Sequence, residues 1–162
     1  MVLNHKGYFD GINRPLRYLG QGLSYTSFQY GDLTIEKKSL EGDETLVFSV
    51  KVTNTGNRAG DEVVQAYVRD LLSSMARPVK ELIGFKRVSL LPGETKKITF
   101  KMPLSQIAFL DAEMNWKVEA GAMRLLIGSS SEDICLTEEF EIMTDTYTEG
   151  ATRGFYALAE VE

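Results

Sequence analysis

Thr45-Leu46-Val47-Phe48-Ser49-Val50-Lys51-Val52-Thr53-Asn54 decides the fold of this 162-residue chain. Leu46, Phe48, Val50 and Val52 alternate with Thr45, Ser49, Lys51 and Thr53. Successive side chains on a strand point to opposite faces, so the stretch buries one face and wets the other. Residues 96–102 repeat the pattern, with Ile98, Phe100 and Met102 inward and Lys97, Thr99 and Lys101 outward. Both segments read as half-exposed strands of an antiparallel sheet.

Working outward, strands are expected over residues 28–36, 62–69, 81–88, 116–119, 123–127 and 134–142. Glu41-Gly42-Asp43, Asn54-Thr55-Gly56-Asn57, Leu91-Pro92-Gly93-Glu94 and Glu119-Ala120-Gly121 supply turns between them. Short strands at this spacing, with no amphipathic helices between them, predict an all-β fold, an antiparallel β-sandwich. Residues 103–110 are expected to make a short helical crossover, with Leu104, Ile107 and Phe109 or Leu110 sealing one end of the core.

The strand at 62–69 departs from simple alternation. Val64, Ala66 and Val68 can face the core, which leaves Val63, Gln65 and Tyr67 on an outer face too apolar for open water. Either a neighbouring loop or paired aromatics cover that face, or another domain docks on it.

Composition narrows the function. The chain fits one domain, with 43% hydrophobic and 25% charged residues, and carries a net charge of -5. Residues 131–162 hold nine acids against Arg153 alone, and no part of the chain concentrates the basic charge that a nucleic acid requires. Cys135 is the single cysteine, so no internal disulfide pins the sheets. No apolar run approaches the roughly 18 residues of a membrane span, and no membrane partner is expected. Met1-Val2-Leu3-Asn4-His5-Lys6 lacks the apolar core of a signal peptide. If the chain is part of a longer protein, that start does not choose between a cytoplasmic and a secreted location.

Several motifs in one order carry a family resemblance. Val52-Thr53-Asn54-Thr55-Gly56-Asn57-Arg58-Ala59-Gly60-Asp61-Glu62-Val63-Val64-Gln65-Ala66-Tyr67-Val68 precedes Arg77-Pro78-Val79-Lys80-Glu81-Leu82-Ile83-Gly84-Phe85-Lys86-Arg87-Val88 and Leu91-Pro92-Gly93-Glu94. Gly22-Leu23-Ser24-Tyr25-Thr26 lies upstream; Trp116-Lys117-Val118-Glu119-Ala120-Gly121 and Ile127-Gly128-Ser129-Ser130-Ser131 lie downstream. Over most of residues 8–142 the chain resembles the fibronectin type III-like domain that closes family 3 glycoside hydrolases, the β-glucosidases and β-xylosidases. Leu19 and Gln21 depart from the usual aromatics of that family, while Gly20, Gly22 and Tyr25 match.

The resemblance implies an immunoglobulin-like, fibronectin III-type sandwich over residues 26–143. Residues 1–25 would be a leader or linker out of a missing α/β-sandwich catalytic domain, and 144–162 an acidic C-terminal tail. That tail is expected to be frayed, with a short helix docked on the missing domains as the alternative. In the resembled family the nucleophile is an aspartate in an N-terminal barrel and the acid/base is usually a glutamate in the α/β-sandwich domain. Neither motif occurs here, so no catalytic residue, cofactor site or metal site is carried over. The implied role is an accessory scaffold in carbohydrate metabolism. Its partners would be the catalytic domains of the same parent chain, and oligosaccharide only through the parent enzyme. Candidate docking residues are Tyr18, Tyr25, Val63, Tyr67 and Arg77, the last in a 71–77 loop that is also the place to look for reach towards a substrate cleft.

The acidic pairs, Trp116, His5 and the serine cluster are the residues that could carry chemistry of their own. Glycoside hydrolysis usually sets two carboxyl groups across a sugar, about 5 Å apart for retention and roughly 6.5 to 9.5 Å for inversion. Asp43-Glu44, Asp61-Glu62 and Glu138-Glu139 are adjacent in sequence and read as solvated turn or edge charges. Asp111 and Glu113 near Trp116 form the one grouping that looks like a sugar site, and a turn entering a strand explains them equally. Trp116 is expected to pack in or beside the core, with stacking on a pyranose as the alternative. His5 has no second histidine or cysteine pair to support metal binding or a triad. Ser129-Ser130-Ser131 reads as a turn. A rival function is a free-standing carbohydrate- or cell-surface-binding module.

Overall fold

The computed structural model describes residues 15–162. His5 and the first part of the expected linker lie outside them. The strands are β1 (Phe28–Ile35), β2 (Ser39–Leu40), β3 (Thr45–Asn54), β4 (Gly60–Asp70), β5 (Glu81–Leu90), β6 (Thr95–Pro103), β7 (Phe109–Leu110), β8 (Trp116–Val118), β9 (Gly121–Gly128), β10 (Ile134–Ile142), β11 (Thr146–Thr148) and β12 (Leu158–Val161). They form a four-stranded sheet in the order β1-β3-β6-β12 and a five-stranded sheet in the order β2-β10-β9-β4-β5. A small sheet, β11-β8-β7, stands apart from these two. All pairings are antiparallel except the two-residue contact of β2 with β10.

The alternation on β3 and β6 is realised as expected. Leu46, Phe48, Val50, Val52, Ile98, Phe100 and Met102 are all fully buried. Phe48 lies opposite Phe100 in the β3–β6 register, and their rings stack with centroids 5.1 Å apart. Val64, Ala66, Val68, Leu125 and Ile127 from the five-stranded sheet complete this core. Burying each large aliphatic or aromatic side chain is worth roughly 1.5–3 kcal/mol, which makes this shared layer the main source of stability. Between β6 and β7 the expected helical crossover is a single 3-10 turn, Leu104–Ile107, whose Leu104 and Ile107 close one end of the core.

Asn54 explains the turn that follows β3. Fully buried, it donates from Nδ2 to the carbonyls of Arg58 (2.7 Å) and Leu90 (3.0 Å) and accepts at Oδ1 from the Thr26 hydroxyl (2.7 Å) and the Gly56 amide (3.0 Å). A buried amide survives desolvation only when its hydrogen bonds are made, and these four join one end of both sheets.

The C-terminal segment corrects the expectation of a frayed tail or a docked helix. Residues 146–148 pair with β8, and Leu158–Val161 add a fourth strand to β6 in register Leu158 with Lys101 through Val161 with Ile98. The Ala157 amide donates to the Ile83 carbonyl on β5 (3.2 Å), so this segment also bridges the two layers. It covers an edge of β6 that would otherwise expose unpaired backbone groups.

Candidate docking site

The outer face of β4 is covered by the chain itself. Gln65 and Tyr67 point away from the core, two residues apart on one face, yet they are only 3% and 1% exposed. The Tyr67 hydroxyl donates to Gln65 Oε1 (2.6 Å), and Gln65 Nε2 donates to the carbonyls of Gly20 (3.1 Å) and Ser129 (2.5 Å). Residues 18–26 therefore cross the sheet as a strap. Gly20 sits at φ +77°, and a Cβ there would overlap the Gln65 amide, so glycine is required for both conformation and space. The Ser131 amide donates to the Leu19 carbonyl (2.9 Å), and Lys80 Nζ donates to the Ser131 carbonyl.

Two candidate residues are corrected by this arrangement. Tyr67 has no surface to offer another domain, because it is spent holding Gln65, and burial pushes its hydroxyl pKa above the ordinary tyrosine range. Arg77 likewise faces inward, its side chain 10% exposed. It pairs with Glu81 (Nη2 to Oε1, 2.5 Å), and its guanidinium lies 4.8 Å from the Phe109 ring centroid. The other three remain accessible: Tyr25 is 93% exposed, Val63 37%, and Tyr18 is half-buried. Leu19, Leu23 and Phe85 are exposed beside them in the strap and on β5.

Under the strap lies a crevice of about 950 Å³, lined among others by Tyr18, Tyr25, Phe28, Tyr30, Glu62 and Asp133. Within this lining the Tyr30 hydroxyl donates to Glu62 Oε1 (2.9 Å). Burial raises the pKa of both groups, and the Tyr30 bond only partly offsets this for Glu62. Cys135 lines the same crevice, its thiol also raised by burial and by the nearby Asp133 charge.

The candidate sugar-binding and acidic residues are engaged within the chain. Asp111 Oδ1 accepts from the amides of Glu113 (3.0 Å) and Asn115 (2.9 Å), which makes it the organiser of a turn. Trp116 lies half-buried on β8 and packs against the core. The Arg153 guanidinium lies over its ring, 4.2 Å from the centroid, so that face is not open for a pyranose. Asp61 accepts from Ser89 and pairs with Arg87; Glu44 pairs with Lys37; Glu138 pairs with Lys38. Ser129, Ser130 and Ser131 bend between β9 and β10, where Ser130 Oγ accepts from the amides of Glu132 and Asp133. Among the described residues no group of His, Cys, Asp and Glu could hold a metal ion, and no helix is long and apolar enough to cross a membrane.

The sequence places Gln65 on an outer strand face and Asn54 in a turn, but not their buried hydrogen-bonding roles. A polar side chain amid apolar neighbours on a central strand was the available signal for Gln65. Nothing in the sequence tied it to Gly20, 45 residues away.

Known proteins supply the remaining findings. The fibronectin type III-like domain family matches residues 62–131. Over 138 residues the chain is 45% identical to thermostable beta-glucosidase B of Acetivibrio thermocellus, covering 83% of this chain and 18% of that protein. A beta-xylosidase of Formosa agariphila is 45% identical over 118 residues, covering 73% of this chain and 16% of its own length. Among solved structures, beta-glucosidase from Listeria innocua in complex with glucose superposes with a TM-score of 0.78 at 34% identity, covering 86% of this chain and 19% of that one. The chain thus spans less than a fifth of the length of these relatives.

Proposed function

This chain belongs to the fibronectin type III-like domains found in family 3 glycoside hydrolases, and from that premise we propose that it is a non-catalytic scaffold within a larger β-glucosidase- or β-xylosidase-type enzyme. It packs against the domains that carry the catalytic carboxylates and stabilises them. The single observation that supports this reading is the strapped outer face of the five-stranded sheet. The 18–26 strap is fastened there at Leu19 by Ser131 and at Gly20 by Gln65, while Leu19, Leu23, Tyr25, Val63 and Phe85 stay exposed around it. An exposed apolar cluster on a rigid seat is the signature of a contact surface rather than of a face finished in water. Each Å² of apolar surface it buries contributes roughly 25 cal/mol before the costs of association are subtracted.

The test is a pair of substitutions, Tyr25→Ser with Val63→Ser, in the protein expressed from its complete reading frame. Both side chains are accessible in the chain alone, so the chain's own melting temperature should hold. The melting temperature of the complete protein should fall. An unchanged melting temperature there, or hydrolysis of a nitrophenyl glucoside by residues 1–162 alone, would overturn the proposal.

A further inference from the structure

The β4–β5 loop, residues 71–80, is held more firmly than a solvent-facing connection of its length requires. Glu119, between β8 and β9, accepts the Ser74 amide (2.9 Å) and the Ser73 hydroxyl (3.4 Å) on one carboxylate oxygen. Its other oxygen meets Lys117 Nζ (3.4 Å), which in turn pairs with Asp145 (2.7 Å). The Lys117 and Glu119 side chains are only 14% and 13% exposed. Removing two charges from water is unfavourable unless their geometry and hydrogen bonding are good, and here the main beneficiary is the backbone of a loop. The Arg77 contacts with Glu81 and Phe109 fasten the other arm.

What this anchoring holds out is apolar. Residues 71–76, Leu-Leu-Ser-Ser-Met-Ala, contain no charge. Leu72 is 88% exposed and Met75 is also exposed. A tip with no charge to desolvate and a backbone already anchored loses less on burial in a partner than a mobile, charged loop would.

We propose that the 71–80 loop is a preformed docking prong, with Leu72 and Met75 seated in an apolar recess on the part of the longer protein that lies outside this chain, and with Glu119 as its positioning residue. This rests on the scaffold reading above. Two observations select that occupant. Lys80 joins the base of the loop to Ser131, and Ser131 is bonded to Leu19, so the prong is continuous with the strapped face. More than four-fifths of the length of each matched relative lies beyond the region this chain covers.

Three variants of the complete protein test it, each paired with the same change in residues 1–162 expressed separately: Leu72→Ser with Met75→Ser, Glu119→Gln, and Tyr25→Ser with Val63→Ser. The prong pair should lower the melting temperature of the complete protein by about 3 °C or more and leave that of the separate chain unchanged. Glu119→Gln should do the same in the complete protein, and in the separate chain it should speed exchange of the Ser74 amide about tenfold or more without changing exchange on β3 and β6. If the prong pair has no effect while Tyr25→Ser with Val63→Ser lowers the melting temperature, the prong is overturned and the scaffold reading stands. If neither pair has an effect, the scaffold reading fails and the prong falls with it. A separate chain that dimerises in sedimentation, and loses the dimer with Leu72→Ser and Met75→Ser, would assign the tip to a second copy and overturn the proposed occupant.

Discussion

The outer faces of the two large sheets are built on the same strand geometry and finished in opposite ways. On the four-stranded sheet Lys51 pairs with Asp32 (2.9 Å), Lys101 with Glu160 (3.1 Å), and the hydroxyls of Thr53 and Thr95 meet at 2.7 Å. These groups stay at the surface, where water can replace any partner that is lost. On the five-stranded sheet the chain Tyr67–Gln65–Gly20 is sealed beneath the strap, with exposed Tyr25, Val63 and Phe85 around it. The difference teaches that polarity alone does not distinguish an outer face finished by water from one covered by the chain itself. Burial of the polar atoms makes the distinction.

Both faces rest on one core, so the largest effect should come from beneath them. Phe100→Ala removes the ring stacked on Phe48 and should cost about 3–5 kcal/mol, read by urea denaturation of the chain. A loss below about 1 kcal/mol would mean that the two layers do not share this core. Next, Gln65→Ala strands the Tyr67 hydroxyl and the carbonyls of Gly20 and Ser129. It should cost about 2–3 kcal/mol and open residues 18–26 to limited proteolysis. A resistant strap in that variant would show that the apolar rim, not Gln65, holds it.

Acid provides a smaller, local comparison. Burial raises the Glu119 pKa, but the Ser74 bonds and Lys117 outweigh it and hold the carboxyl below its ordinary range. The Ala120 amide, then Lys117, hold Asp145 below its ordinary range too. Lys117, raised chiefly by its bond to Asp145, keeps its charge throughout. A carboxylate depressed in the folded state contributes stability that is present above its unfolded pKa and lost as pH falls through the folded one. Protection of the Ser74 amide, corrected for intrinsic exchange, should therefore stay level from pH 7 to about 5 and fall below about 4. Protection that already declines near neutrality would remove these carboxylates as the cause. The smallest effect belongs to the solvent face: Lys51→Ala should change stability by less than about 0.5 kcal/mol. A larger change would erase the contrast between the two faces.

The same contrast explains which features could be read ahead of the structure. The strands β3 and β6 were legible because one face is wet, and a period of two then appears in the residue types themselves. In β4 the outer residues are covered, so alternation fades and the sequence left two readings, a covering loop or a docking face. The strap takes Gln65 and Tyr67, while Val63 remains 37% exposed at its margin. Arg77 looked available because a lone arginine in a loop usually is; its partners Glu81 and Phe109 become apparent only when β5 and β7 are brought together. The tail misled for a different reason. Leu158-Ala159-Glu160-Val161 is too short to show a period, and it becomes a strand because β6 offers it an unpaired edge.

Side-chain order along the chain was enough to fix an all-β sandwich and its principal core residues, because each follows from which face of a short backbone segment meets water. The strap over Gln65, the fourth strand at β12 and the anchored 71–80 loop came from folding alone. Each depends on hydrogen bonds between segments distant in sequence, such as the 45 residues from Gly20 to Gln65 or the 45 from Ser74 to Glu119, and contacts of that range leave no period in the chain to read.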